Sequence, residues 1–321
     1  MSQQSDDHSR VVAVTGASGY IGARLLRELE EVGLDKLVAI DLRPLQNPVH
    51  NTVFLQRSVL QPLGEAFRDH KVDTVVHLAF VMRPGRKPNE LEQMRAVNVG
   101  GLENVLRACR TARVKHLVYL SSHTVYGSYR DNPIPITEEA PLRPNRGFLY
   151  AEHKLLCEEA IRRFSKETPS TRVTVLRACV VMGPNARNYI TQAFDKPVLV
   201  AACGSAPHMQ FVHESDVARL ITQLIREPHP GIYNVAGERT VRWSRMVEMS
   251  RRPMIRLPAQ VLYPLTEVAW RLGLQKESPA VGLDFIRYPL IVSTGKLKGV
   301  TGFRFQYTSE EAVRSYMDNR D

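Results

Sequence analysis

The chain has 321 residues, few cysteines and no long apolar run. Its four cysteines, Cys109, Cys157, Cys179 and Cys203, are far apart and form no CxxC pair. This spacing favours neither a disulfide framework nor a zinc site, and no metal is expected. No stretch reaches the roughly 18 apolar residues that a membrane helix needs. We therefore expect no membrane partner and a cytoplasmic location.

The beginning of the chain and its charge exclude further classes. Residues 1–9 are polar and are predicted to form a flexible tail rather than a signal peptide. The formal net charge is +10, but lysine and arginine are scattered along the chain, so no nucleic-acid partner is expected. Two local concentrations stand out and are typical of a solvated face: Arg251, Arg252 and Arg256, and Arg83, Arg86 and Lys87.

Short apolar runs alternate with amphipathic stretches of helical length as far as about Pro184. This pattern predicts an α/β fold, a doubly wound parallel (Rossmann) sheet with a smaller C-terminal substrate domain. The pattern returns at 211–226 and 232–235. The prediction is a dinucleotide-binding domain of residues 10–184 and 209–236, and a substrate-binding domain of residues 185–208 and 237–321. In the latter, Leu257–Leu274 is apolar at helical spacing, which is more typical of core or dimer contact than of a pocket lid.

A glycine-rich turn follows the first predicted strand. Val11–Val14 leads into TGASGYIG at Thr15–Gly22 and then into a helical pattern, the context that a phosphate-binding turn requires. In this interpretation Gly16 makes the tight turn, Gly19 lets backbone N–H groups approach a pyrophosphate, and Gly22 allows close helix packing. The sequence therefore predicts a dinucleotide site.

An acidic residue ends the next predicted strand and bears on the choice of cofactor. Asp41 can accept hydrogen bonds from both ribose hydroxyls and repel a 2′-phosphate, which favours NAD over NADP. Arg43, two residues later, could instead neutralise a 2′-phosphate, so NADP stays open as the second choice.

Further motifs occur in a fixed order along the chain. They are VVHLA at Val75–Ala79, NVGG at Asn98–Gly101, YLSSHTVYG at Tyr119–Gly127, YAEHK at Tyr150–Lys154 and FVHESDVA at Phe211–Ala218. With the glycine turn they resemble the extended short-chain dehydrogenases, the NAD-dependent epimerase/dehydratase family. The N-terminal half matches specifically, and the last third matches only in outline.

The resemblance implies a catalytic set of Ser122, Tyr150 and Lys154. Tyr150 and Lys154 are four residues apart, on one face of a helix, so positive charge can lie near the phenol. Such charge lowers the pKa of a tyrosine from about 10 and makes it a general acid/base near neutral pH. The cofactor contacts that the resemblance implies, besides Tyr150 and Lys154, are Gly16, Gly19, Tyr20, Ile21, Gly22, Asp41, Arg43, Ser58, Val59, Leu78, Ala79 and Asn98.

The resemblance also implies a homodimer, paired through the helices predicted at 98–110 and 148–164. Val105, Leu149 and Leu156 are candidate contacts in that interface. His77 and His213 are interpreted as polar residues at strand ends, and Asp216 as the N-cap of a helix at 217–225.

Departures from the family pattern bear on the substrate. His123 and Thr124 occupy the positions where sugar-nucleotide dehydratases carry acids, which argues against dehydration. Val180 replaces an asparagine that anchors a diphosphate, and Met209-Gln210 stand where an arginine is expected. These departures predict a smaller or less charged small-molecule substrate and poor binding of UDP- and dTDP-sugars. The cluster Arg83, Arg86 and Lys87 could replace the missing arginine.

Three functions remain open at this point. The first is hydride transfer between NAD and a secondary alcohol or ketone, with Tyr150 as acid/base. The second is nucleotide-sugar epimerisation by transient oxidation, and the third is a non-catalytic NAD-binding regulator. The substrate, the direction and the stereochemistry do not follow from the sequence.

Overall fold

The structure is a computed structural model that describes residues 10–34, 36–83, 87–205, 207–275 and 278–320. Arg86 and the tail at 1–9 lie outside the described residues. The strands in the described part are β1 (Val11–Thr15), β2 (Lys36–Asp41), β3 (Thr52–Gln56), β4 (Thr74–His77), β5 (His116–Ser122), β6 (Arg172–Ala178), β7 (Val180–Met182), β8 (Leu199–Ala202), β9 (His208–Met209), β10 (Phe211–His213), β11 (Gly231–Val235), β12 (Val241–Arg242) and β13 (Met254–Leu257).

The helices in the same ranges are α1 (Tyr20–Glu31), α2 (Gly64–Asp69), α3 (Pro88–Arg95), α4 (Gly101–Ala112), α5 (Leu149–Glu167), α6 (Tyr189–Phe194), α7 (Glu214–Arg226), α8 (Trp243–Ser250), α9 (Ala259–Leu272), α10 (Gly295–Thr301) and α11 (Ser309–Met317). A π-helical turn at Ala96–Gly100 leads into α4, and 3₁₀ turns lie at His123–Tyr126 and Ala280–Ile286.

In the described chain, seven parallel strands form one sheet in the order β11-β6-β5-β4-β1-β2-β3. Val12, Ala13 and Val14 of β1, an interior strand, are fully buried, because helices cover both faces. The strand order reverses between β1 and β4, and open α/β sheets bind ligands outside the carboxyl ends of the strands at such a point. The predicted doubly wound Rossmann fold is confirmed.

The core separates into two layers, one on each face of the sheet. Leu25 of α1 and Ile221 of α7 are buried on one face, and Phe67 of α2 and Leu102 of α4 on the other. Val105 is also fully buried in the second layer. The expectation that Val105 is left over for a dimer contact is therefore wrong.

The start of α7 differs from the sequence-based interpretation. The helix begins at Glu214, and its N-cap is His213, whose Nδ1 accepts a hydrogen bond from the Ser215 N–H. Asp216 is not the cap. Its carboxylate accepts hydrogen bonds from the backbone N–H groups of Gln306 and Tyr307, which ties α7 to the segment before α11.

A third apolar cluster lies in the C-terminal part of the chain. Phe194 of α6 stacks on Trp243 of α8 with ring centroids 5.5 Å apart. Helix α9 contributes little to the core, since Leu262 is its only buried residue. Of the two roles expected for 257–274, core packing is therefore wrong for most of this helix, and dimer contact stays a prediction.

Two features are absent from the described ranges. No helix among these residues is long and apolar enough to cross a membrane. No group of three or more His, Cys, Asp or Glu side chains among them is arranged to hold a metal ion.

Candidate active site

A cavity of about 850 Å³ lies at the carboxyl ends of β1, β4, β5 and β6. Its far side is formed by residues of the segments 187–210 and 243–290. The predicted site residues on its wall are Gly16, Gly19, Tyr20, Ile21, Gly22, Arg43, Leu78, Ser122, Tyr150 and Lys154. The remaining predicted residues, which are not on the wall, are Asp41, Ser58, Val59, Ala79 and Asn98.

The glycine turn packs too closely for side chains at two positions. Gly16 has a φ of +74°, and a Cβ there would lie 2.6 Å from the backbone nitrogen of Ala79. A Cβ at Gly22 would lie 2.1 Å from the carbonyl oxygen of Gly16. Glycine at both positions is therefore required by backbone packing within the turn and against the residue after β4.

The turn presents the beginning of α1 to the cavity. The N-cap, Gly19, has no side chain with which to cap the helix, and the first turn of α1 carries no acidic residue. Tyr20 and Ile21 of that turn line the cavity. Backbone N–H groups and the positive end of the helix dipole there suit a phosphate group.

Asp41 and Arg43 lie beside the turn but differ in position. Asp41 is largely buried, and its carboxylate accepts hydrogen bonds from the backbone N–H groups of Ser18 (3.1 Å) and Arg43 (3.0 Å). The Arg43 side chain is exposed and lines the cavity, with its Nε 3.9 Å from the Asp41 carboxylate. The acid therefore fixes the turn, while the guanidinium stands at the cavity.

The predicted residues that are off the wall lie behind it. Asn98 is fully buried; its amide oxygen accepts from the Val81 N–H (2.7 Å), and its amide nitrogen donates to the Val81 carbonyl (2.9 Å). Asn98 thus holds the segment that follows β4. Val59 is buried, Ser58 is half-buried after β3, and Ala79 contributes the backbone that packs on the glycine turn.

Helix α5 carries Tyr150 and Lys154 on one face, as their spacing predicted. The Lys154 side chain is 5% exposed, and its Nζ donates a hydrogen bond to the Leu120 carbonyl at 2.6 Å. The ammonium lies 3.8 Å from the Phe80 ring centroid and 5.9 Å from that of Tyr150. Burial lowers the pKa of Lys154 to about 8.

Ser122 ends β5 and connects the strand to Tyr150. Its Oγ accepts hydrogen bonds from the Thr124 N–H (3.2 Å) and the Thr124 hydroxyl (3.0 Å), which directs its own proton to another partner. Burial raises the pKa of Tyr150, and the hydrogen bond with Ser122 lowers it in part. In the protein without ligand, Tyr150 is therefore a neutral phenol near pH 7.

Aromatic rings enclose Tyr150, which the sequence did not predict. The centroid of its ring lies 5.4 Å from that of Phe80, 6.1 Å from that of Phe148 and 6.3 Å from that of Tyr189. Phe285 packs on Phe148 at 4.8 Å. We call Phe80, Phe148, Tyr189 and Phe285 the aromatic enclosure. Phe80 and Phe148 were detectable, since each is next to a motif, whereas Tyr189 and Phe285 come from distant segments without one.

A buried ion pair supports the catalytic strand from behind. The Arg177 guanidinium of β6 donates to both carboxylate oxygens of Glu158 on α5, and the shortest distance is 2.7 Å. Ser121 donates to the same carboxylate at 2.5 Å, and Arg177 also donates to the Tyr126 hydroxyl at 2.8 Å. These contacts join β5, β6 and α5 next to Ser122. The sequence signal was a charged residue inside an otherwise apolar strand.

Two buried histidines near the site, His77 and His123, are neutral. His77 bonds the Thr15 hydroxyl through Nδ1 at 2.7 Å, and burial lowers its pKa to about 3. His123 lines the cavity, and burial likewise lowers its pKa to about 3. Neither residue carries a proton to donate as imidazolium at neutral pH, so Tyr150 is the acid/base candidate.

The substrate side of the cavity combines apolar walls with three cations. Val180 and Met209, the departures from the family pattern, both line it. Arg83, Arg187 and Lys196 line it as well, and no aspartate or glutamate does so among the described residues. Lys87 is not on the wall, and Arg86 lies outside the described residues.

Comparisons with known proteins agree with this geometry. An uncharacterized protein of Mycobacterium tuberculosis is 22% identical over 320 residues, which cover 98% of this chain and 85% of that protein. UDP-glucose 4-epimerase of Lactobacillus helveticus is 33% identical over 190 residues, which cover 54% of this chain and 53% of that enzyme. The crystal structure of UDP-glucuronic acid 4-epimerase from Bacillus cereus in complex with NAD has a TM-score of 0.73 at 17% identity and covers 96% of this chain and 98% of that one. The model of the NAD dependent epimerase/dehydratase family matches residues 12–236, and the chain belongs to that family.

Proposed function

We propose that this protein is an NAD-dependent oxidoreductase that transfers hydride between NAD and a secondary alcohol or ketone. One observation carries the proposal. Tyr150, hydrogen-bonded with Ser122 and next to the buried Lys154, lies on the same cavity as the uncapped start of α1. A proton donor and a dinucleotide-binding turn therefore share one enclosed space.

The residues at the turn fit a dinucleotide. The backbone N–H groups of Tyr20 and Ile21 suit the pyrophosphate, and Asp41 suits the hydroxyls of a ribose. Bound NAD would supply the hydride acceptor for alcohol oxidation, and its reduced form, NADH, the hydride donor for ketone reduction. We keep NAD ahead of NADP because Asp41 adjoins the turn, although Arg43 lines the cavity. The other proposed cofactor positions are Gly16, Gly19, Gly22, Ser58, Val59, Leu78, Ala79 and Asn98, with Tyr150 and Lys154.

The catalytic set accounts for the proton transfer. In ketone reduction, the Tyr150 hydroxyl donates its proton to the carbonyl oxygen of the substrate, and the Ser122 hydroxyl hydrogen-bonds the same oxygen. The Lys154 ammonium stabilises the phenolate that remains. In alcohol oxidation, the phenolate takes the proton back.

The walls near Tyr150 favour an apolar carbonyl compound. An anionic diphosphate next to Val180 and Met209 would lose solvation without gaining two charge-assisted hydrogen bonds, each worth about 1.5–3 kcal/mol. That loss weakens binding by roughly two to four powers of ten. We therefore propose a substrate smaller or less charged than a UDP-sugar, held against the aromatic enclosure.

The second candidate is nucleotide-sugar epimerisation by transient oxidation. It is favoured by Arg83, Arg187 and Lys196 on the cavity wall, and by the relatives named as UDP-sugar epimerases. Calorimetry with UDP-glucose separates the two candidates. Micromolar binding that is lost in Arg83→Gln would overturn the apolar substrate and favour the epimerase, and NAD retained through purification would support it, because an epimerase returns its hydride.

A non-catalytic NAD-binding regulator remains as a third candidate. Such a protein has no chemical need for Tyr150, Lys154 and Ser122 together. The hydrogen bond of Ser122 with the buried Tyr150 hydroxyl, and the Lys154 ammonium beside it, argue for catalytic turnover.

The proposal includes the organisation of the chain. Residues 10–184 with 209–236 form the dinucleotide-binding domain, and residues 185–208 with 237–321 form the substrate-binding domain. The contacts of Tyr189 and Phe285 with Phe148 support this division, because each of the two separate segments supplies one of these rings. We also propose a cytoplasmic homodimer that pairs through α4 and α5. Light scattering at micromolar concentration tests the dimer, and monomer alone contradicts it.

The test of the proposed chemistry is Tyr150→Phe. This change removes the proton donor and little else, so NADH oxidation with a panel of apolar ketones should be abolished while NAD affinity is kept. Tyr189→Phe is the matched control, because it removes a hydroxyl from the same aromatic cluster and should retain turnover. Equal turnover in wild type and Tyr150→Phe would refute the mechanism.

A further inference from the structure

Helix α9 leaves an apolar stripe uncovered. Val261, Leu265, Val268 and Leu272 are 45%, 56%, 54% and 69% exposed, and their spacing of four, three and four residues puts them on one side of the helix. Leu274, just beyond the helix, is 79% exposed. Scattered single apolar residues on a surface are normal, but a continuous stripe marks an interaction site.

The stripe continues onto a neighbouring strand pair and reaches the cavity. Ile255 of β13 pairs in register with Val200 of β8, and both side chains are exposed. Val200 and Leu265 also line the cavity, so these exposed residues stand at its mouth. The apolar face, as we call it, consists of Val200, Ile255, Val261, Leu265, Val268, Leu272 and Leu274.

Basic residues outnumber acidic ones in the chain segment that forms most of the apolar face. Residues 251–274 contain four arginines and a single acid, Glu267, which pairs with Arg271 at 2.9 Å. Arg256 is exposed in the same strand as Ile255, on the opposite face of that strand, and Arg251 and Arg252 are exposed just before it. Arg187 and Lys196 line the cavity that opens at this face. An apolar surface within a basic rim is complementary to an interface that is apolar inside and anionic at its surface.

We propose that the apolar face docks onto the surface of an anionic phospholipid bilayer, with the mouth of the cavity turned toward the lipid. A second copy of the chain is the poorer occupant, because a two-fold symmetric contact would press the basic rim against itself. The helix lies in the interfacial plane rather than crossing the bilayer, since no helix of the described residues is long and apolar enough to span one. This proposal replaces the sequence-based expectation of no membrane partner, and it does not depend on which substrate the enzyme uses.

The test is co-sedimentation of the full-length protein with lipid vesicles. The wild type should sediment with equimolar phosphatidylcholine and phosphatidylglycerol, sediment less with phosphatidylcholine alone, and be partly released by salt. In Val268→Gln/Leu272→Gln, the vesicle partition coefficient should fall about tenfold or more, because two exposed side chains that would enter the lipid become polar. Neither residue lines the cavity, so NAD binding serves as the check that the variant is folded.

A variant outside the apolar face is the control, and the oligomeric state of the double variant tests whether a second copy of the chain covers that face. Val300→Gln changes an exposed valine of α10 outside the apolar face and should sediment like the wild type. Failure of the wild type to sediment with the anionic vesicles, or equal sedimentation of the double variant, would overturn the proposal. A dimer that dissociates in the double variant while sedimentation is unchanged would assign the face to a second copy instead.

Discussion

Lys154→Met should make the stability of this protein less dependent on alkaline pH. Lys154 is buried, and its pKa in the folded protein is lowered from 10.5 to about 8, because burial disfavours the charged form. Each pKa unit corresponds to about 1.36 kcal/mol, so holding this charge in the fold costs on the order of 3 kcal/mol below pH 8. Methionine has similar length and carries no charge.

The sign of the pH effect follows from proton binding. Between about pH 8 and pH 10.5 the unfolded chain keeps the lysine proton while the folded chain has lost it, so the wild type gains stability as pH rises through this window. At neutral pH the variant should gain about 3 kcal/mol from removing the charge, less about 1.5–3 kcal/mol for the lost hydrogen bond to the Leu120 carbonyl. The difference in unfolding free energy between variant and wild type should therefore fall by about 2–3 kcal/mol from pH 7 to pH 10.

The assay is urea denaturation of both proteins, freed of nucleotide, at several pH values. The difference in unfolding free energy between the two proteins is taken at each pH, so the contributions of groups that titrate in both proteins cancel. Lys166→Met, at an exposed position of the same helix, provides the reference for removal of a lysine from α5. A difference between Lys154→Met and wild type that does not change with pH would refute the reasoning, since it would mean that the ammonium is not desolvated.

Three further predictions follow from distances and pKa directions. Gly22→Ala places a Cβ 2.1 Å from a carbonyl oxygen of the glycine turn, so calorimetry should show NAD affinity reduced by about tenfold or more, and unchanged affinity would contradict the packing argument. Glu158→Gln leaves the Arg177 guanidinium buried without its counter-charge and should lower the urea-derived unfolding free energy by about 3–5 kcal/mol; a loss well under 1 kcal/mol would show that solvent reaches the pair. Initial rates of ketone reduction should stay level just above neutral pH, because burial raises the pKa of Tyr150 and keeps its proton in place. The rates should fall as pH passes about 8, where Lys154 loses its charge. A rate that rises through pH 8 would contradict these two roles.

The spacing of residues within short stretches of sequence predicted much of the fold and part of the candidate site. Tyr150 and Lys154 share a helix face because four residues make about one turn. Gly16 and Gly22 stand where backbone approaches backbone, which no side chain permits, and so the turn was visible as a pattern of glycines. The alternation of apolar runs with amphipathic stretches led to the correct sheet class, because parallel strands covered on both faces must be apolar throughout.

Contacts between segments that are distant along the chain could not be predicted from such local patterns. Tyr189 and Phe285 are 96 positions apart along the chain, and only the closing of the C-terminal segments over the sheet brings both rings onto Phe148. The ion pair of Glu158 and Arg177 likewise joins a helix to a strand, and neither residue has a local signature that names its partner. Val105 and α9 show the same limit. Val105 is buried where a dimer contact was expected, and α9 leaves apolar side chains exposed where core or dimer contact was expected.

The order of residues along the chain was enough to recognise the glycine turn, the acid at the end of β2 and the tyrosine-lysine pair, because each has a signature of residue type and spacing within a short stretch of sequence. Which side chains enclose Tyr150, which cations reach the cavity and which apolar surface faces solvent depended on how the segments at 185–208 and 237–320 pack over the carboxyl ends of the sheet. The hydrophobic effect is not directional, so an apolar pattern predicts that one face of a helix or strand is better stabilised away from water, but it does not predict which residues cover that face.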